Sequence, residues 1–72
     1  MIEYEDIIKE RIEYMVNEDI REMEFMIDNS LICIQESYRY EDAYDVRISK
    51  NNEHREYVIE TSGQVYEESE DK

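Results

Sequence analysis

Glu3, Asp6, Glu10 and Glu13 recur at spacings of three, four and three residues. On a helix, that spacing sets carboxylates in a line with neighbours about 5–6 Å apart. Glu18 and Glu22 extend the acidic surface along the same segment. A row of negative groups has the electrostatic character of one strand of a phosphate backbone. A cleft lined by Lys and Arg to hold phosphates would accept it. Lys9, Arg11 and Arg21 are too few to neutralise it. The outer face of any solvated helix carries charges, so the row also has an ordinary reading. What gives it weight is the chain-wide excess of 21 Asp and Glu over eight Lys and Arg, a formal net charge of -13. Charge of one sign opposes compaction, so a small domain that carries this much of it has a use for its field.

A second pattern lies further along. Tyr38, Tyr40, Tyr44, Tyr57 and Tyr66 interleave with Glu36, Glu41, Asp42, Asp45, Glu56 and Glu60. Tyrosine is amphipathic and enriched where a partner buries a surface, and its ring stacks on guanidinium groups. Tyr38 and Tyr57 are expected in the core. The candidate contact surface here comprises Gln35, Glu36, Ser37, Tyr40, Glu41, Asp42 and Asp45.

Catalytic chemistry finds little support in the sequence. His54 is the only histidine, and it sits in a polar stretch between Glu53 and Arg55. Cys33 is the only cysteine, has no partner for a disulfide or zinc site, and is expected to be a small apolar residue of a core strand. No glycine-rich phosphate loop is present. Asp42 with Asp45, and Glu67, Glu68, Glu70 and Asp71, lack the alternating ligands and turn glycine of a calcium loop. The expectation is a protein that is not an enzyme and needs no cofactor or metal.

The elements that must position these residues follow from periodicity. Ile8, Ile12, Val16, Ile20, Met23 and Ile27 recur every three or four residues, which predicts a helix from about residue 3 to 27, roughly 37 Å long. That length leaves room for a break near Asn17-Glu18-Asp19. Met23, Phe25 and Ile27 also alternate, so residues 22–27 could instead form a strand. Asp28-Asn29-Ser30 ends the pattern. Three antiparallel strands are expected near 31–40, 43–50 and 55–62, with Asn51-Asn52 as a hairpin turn. Ile32, Ile34, Tyr38 and Tyr40 would share one face of the first. Gly63 breaks the last strand, and Val65-Tyr66 leaves room for a fourth. The expected fold is therefore α+β: an N-terminal helix packed on a three-stranded antiparallel sheet, as one domain over residues 1–66 with an acidic tail at 67–72.

At Leu31–Ser37, LICIQES, the sequence resembles the phage uracil-DNA glycosylase inhibitor family, in which a hydrophobic strand ending in Ile-Gln-Glu-Ser follows an N-terminal helix. The resemblance implies that Ile34 anchors the strand in a DNA-binding cleft, with Gln35, Glu36 and Ser37 facing the target. After the motif that family continues with apolar residues and a second helix, whereas here Tyr38-Arg39-Tyr40 follows. In size and charge the chain looks like the small acidic inhibitors of phages and mobile elements, the anti-CRISPR and anti-restriction proteins among them.

The function expected on these grounds is inhibition of a basic, nucleic-acid-binding protein of the host by DNA mimicry. The target would be a CRISPR effector, a restriction enzyme or a DNA repair enzyme. An acidic chain would contact neither nucleic acid nor an anionic membrane directly. No apolar run reaches membrane-spanning length, and a cytoplasmic location in the host cell is expected. Two other classes use the same features: an immunity protein or antitoxin against a basic nuclease, and an acidic domain that forms a homodimer through its tyrosines.

Overall fold

The computed structural model describes residues 2–68. Helix α1 spans Glu5–Glu18 and buries Ile8, Ile12 and Met15, one stripe at spacings of four and three. Val16, expected in that stripe, lies a full step around the helix and is 48 % exposed. The helix stops at Glu18 because Asp19 turns left-handed, with φ 60°. The Asp19 N–H then donates to the Val16 carbonyl and the Ile20 N–H to that of Met15. This paired closure with an apolar contact is the Schellman arrangement, here with aspartate where glycine is usual.

Five strands follow: β1 (Glu22–Ile27), β2 (Ser30–Glu36), β3 (Ala43–Lys50), β4 (Glu53–Glu60) and β5 (Val65–Glu68). They form one antiparallel sheet in sequence order. The α+β expectation stands, but with five strands rather than three or four. The first extra strand is β1, where a continuing helix was expected. Both periods fitted Met23 and Ile27, and length decides between them. A 25-residue helix would run about 37 Å, whereas an eight-residue strand spans about 26 Å, so the end of such a helix would overhang the sheet. As a strand, the segment packs Met23, Phe25 and Ile27 against the core and turns Glu22, Glu24 and Met26 away. The other, β5, is the fourth strand for which Val65-Tyr66 left room, and it extends through Glu67 and Glu68, which were expected in the tail. The rest of that tail lies outside the described residues.

Turn chemistry fixes the register. Asp28-Asn29 and Asn51-Asn52 all have positive φ, the signature of two-residue hairpins whose twist matches the strands. Asp19, Asp42 and Tyr4 are left-handed as well. The turn into β5 uses Gly63 at φ 109°, and its N–H donates to the Glu60 carbonyl.

The core lies between α1 and one sheet face. Ile2, Ile8, Ile12 and Met15 meet Ile32, Ile34, Tyr44, Val46, Ile48, Tyr57 and Ile59. Tyr57 is in the core as expected. Tyr38 is not: β2 ends at Glu36, so the face shared by Ile32 and Ile34 does not continue to Tyr38 and Tyr40, and Tyr38 is 89 % exposed. Cys33 also departs from expectation. Strand alternation turns it to the opposite, uncovered face, where it pairs across strands with Glu24 and Arg47.

Candidate partner-binding surfaces

The helix row is real but shorter than the sequence suggested. Asp6, Glu10 and Glu13 are exposed on α1, opposite Ile8, Ile12 and Met15. At 1.5 Å per residue they span about 10.5 Å. Three charges over that distance are sparser than the one phosphate per 3.4 Å of a DNA strand. Glu3 precedes the helix and lies instead in a cleft with Lys50, Glu53 and Arg55. Glu18 is the last helical residue. Glu22 leaves the row altogether: it opens β1 on the uncovered face, opposite Gln35. Beside the row, Lys9 bonds Glu5 at 2.9 Å, which holds the Glu5 carboxyl below its usual pKa.

The second predicted surface divides by strand alternation. Gln35 and Asp45 face the uncovered side of the sheet, as cross-strand partners. Glu36 faces the helix side, opposite Tyr44. Between them the loop 37–42 is built on Ser37, whose half-buried hydroxyl accepts the Arg39 and Tyr40 N–H groups at 3.1 and 3.2 Å. Ser37 thus shapes the loop. Tyr40, Glu41 and Asp42 are exposed on it. The Asp42 carbonyl accepts the Thr61 N–H at 2.8 Å, tying the loop to the end of β4.

On the uncovered face, Glu22, Glu24, Asp45, Glu56 and Glu68 line a trough of about 660 Å³ with Cys33, Gln35, Arg39 and Arg47. The two arginines organise it. Arg47 pairs with Glu56 at 3.1 Å. Arg39 reaches across from the loop to Glu68 at 2.6 Å and stands 3.8 Å from Asp45, an ion pair without a hydrogen bond. The bond to Glu68, ahead of the other nearby charges, raises the Arg39 pKa. Burial, then the carboxylate of Glu24, pushes the Cys33 thiol up and keeps it protonated. Among the described residues no group of three or more His, Cys, Asp or Glu is arranged to hold a metal ion.

On the helix side, a groove of about 620 Å³ runs between the end of α1 and the loop, lined by Val16, Asp19, Ile20, Arg21, Glu36, Tyr38, Arg39, Tyr40 and Tyr44. Here the helix presents its negative end, and no basic residue occupies its last turn. Asp19, Glu36, Glu41 and Asp42 all line this groove. Burial, then Glu36 and Asp19, raises the Tyr44 pKa. Sequence reasoning missed Asp19 as a surface residue and treated Tyr38 as core. A helix stop followed by aspartate was the available signal for the first. The second needed the strand end at Glu36, which no spacing reveals.

Ile34, the anchor implied by the glycosylase-inhibitor resemblance, is 1 % exposed in the core, on a strand paired on both sides. No described helix is long and apolar enough to cross a membrane. Comparison with protein-family models, with curated proteins and with solved structures finds no match to this chain.

Proposed function

We propose that this domain inhibits a nucleic-acid-binding protein by occupying its basic site with surface carboxylates. The observation that carries the reading is the imbalance between carboxylates and cations on the folded surface. Among the described residues, ion pairs engage only Glu5, Glu36, Asp45, Glu56 and Glu68. Asp6, Glu10, Glu13, Glu18, Asp19, Glu41 and Asp42 are exposed and make none. Asp6, Glu10 and Glu13 lie on the outer helix face, and Asp19, Glu41 and Asp42 line the groove at its C-terminal end. A protein that bound an acidic or neutral partner would gain nothing from this field, whereas a phosphate-binding cleft is complementary to it. Inhibition is then steric and electrostatic, with fast steered association and no turnover. A CRISPR effector, a restriction enzyme and a DNA repair enzyme all present such a cleft.

The test is capture from a bacterial lysate on the immobilised domain, followed by competition on each recovered complex. Duplex DNA should displace the domain, and affinity should fall steeply between 50 and 500 mM salt. A captured partner that keeps the domain in excess DNA and ignores salt would refute mimicry.

A further inference from the structure

We propose that the open edge of β1 takes up an extended basic segment of the protein partner as a sixth, antiparallel strand. The inference rests on the reading that the partner is basic, and it assigns the kind of segment that docks and the way it is held.

β1 is the outermost strand on its side of the sheet and pairs only with β2. The register decides which backbone groups are left over. The Glu36 N–H donates to the Arg21 carbonyl at 2.9 Å. Residues of an antiparallel pair alternate between bonded and non-bonded positions, so in the same register Met23, Phe25 and Ile27 bond β2. The N–H and C=O groups of Glu22, Glu24 and Met26 therefore point outward, and no strand among the described residues lies beyond them. Proteins usually blunt such an edge with proline, lysine, a bulge or extreme shortness. β1 has six residues, an unbroken register and neither proline nor lysine. The opposite edge, β5, has only four residues.

The side chains define what fits. Those of Glu22, Glu24 and Met26 stand on the uncovered face, and residues directly opposite in a paired strand share a face. Lys or Arg opposite Glu22 and Glu24 would make the opposite-charge pairs that stabilise a sheet. The chain's own cations are placed elsewhere. Arg39 and Arg47 are held by Glu68 and Glu56, and Arg21 turns to the helix side, 3.8 Å from Glu36. The alternate positions of an incoming strand would fall beside Met23 and Phe25, which pack on the core, with the Arg11 guanidinium 4.7 Å from the Phe25 ring centre. Apolar residues suit those positions. The occupant is thus a segment in which Lys or Arg alternates with apolar residues. A second copy of this chain fits less well. The antiparallel register that engages all three outward residues would set each Glu24 against its own counterpart, and like charges directly opposite are destabilising.

The test is a nitrogen-15 NMR titration of the full chain with an alternating Lys-Val octapeptide. Hydrogen exchange at the Glu22, Glu24 and Met26 N–H groups should slow at least tenfold on binding, whereas the already bonded Met23 and Phe25 N–H groups should change little. The same peptide N-methylated at its lysines keeps its charge but loses the N–H groups that face β1, and it should bind at least tenfold more weakly. Glu24→Pro removes an outward N–H at a position where an edge strand tolerates proline, and should also weaken binding about tenfold. Glu24→Gln, which keeps that N–H, should weaken it less. No binding, equal binding of the methylated peptide, or protection confined to Asp6–Glu13 would overturn the proposal. None of these outcomes touches mimicry, which fails instead if DNA does not displace the domain from its captured partner.

Discussion

Glu10 occupies the middle of the helix row, and its replacement by glutamine separates what the row costs the fold from what it gives a partner. Asp6 lies four residues before it and Glu13 three residues after, both exposed. Like charges at these spacings destabilise a helix by about 0.2–0.5 kcal/mol per pair. Glutamine matches glutamate in shape and helix propensity, and this position lies away from either end of the helix dipole. Glu10→Gln should therefore stabilise the domain by about 0.4–1 kcal/mol. For a domain of this size, that is a rise in Tm of about 2–8 °C. Circular dichroism melts in 20 mM and 500 mM salt measure it, and the gain should shrink at the higher salt as the repulsion is screened. The same substitution should weaken capture of the partner. A stability gain joined to a binding loss is the mark of a charge kept for recognition. If Glu10→Gln leaves Tm unchanged or lowers it at low salt, the carboxylate has a favourable neighbour and the row is not a site of repulsion.

Further outcomes follow from other parts of the molecule. The double variant Glu10→Lys with Glu13→Lys should lower partner affinity at least tenfold and flatten its salt dependence, with helix content unchanged by circular dichroism. Gly63→Ala forces a side chain into φ 109° and should cost about 1–3 kcal/mol in urea unfolding. Ser30→Ala should be neutral or stabilising, because the buried Ser30 hydroxyl has no partner to lose; a cost above about 1 kcal/mol would refute that. The Cys33 thiol is raised by burial and Glu24, so the folded state favours its protonated form and stability should fall as pH rises above the unfolded value. Iodoacetamide should accordingly react more slowly with the native than with the urea-unfolded chain at pH 8, and Glu24→Gln should narrow the difference.

Much of the architecture was legible because local chemistry and tertiary demand agreed. Asn51-Asn52 reads as a hairpin, and the alternation of Tyr44, Val46 and Ile48 survives intact in β3. Residues 22–27 were not legible, since Met23 and Ile27 satisfy a helical and a strand period alike. What settles them is the reach of the sheet, a property of the whole fold. The same gap moved Glu22 from the helix row to the uncovered face. Tyr38 was misplaced because alternation was carried past Glu36, where Ser37 bends the chain through its side-chain hydroxyl. The candidate site was thus visible as composition and partly as spacing. The groove at its centre was not, because it joins α1 to a loop some twenty residues further on.

The left-handed aspartates have a consequence for how this surface can change. A turn with positive φ accepts Asn, Asp or Gly readily and other residues with strain. Of those three only aspartate is charged. At Asp19, Asp28 and Asp42 the backbone therefore permits loss of a negative charge but resists its inversion to Lys or Arg. The same geometry limits the entropy lost on association. These are short side chains on backbone already fixed by the fold, so little freedom remains for a partner to remove. Part of the negative field is accordingly written into the bends of the chain, where single substitutions can dim it far more readily than they can reverse it.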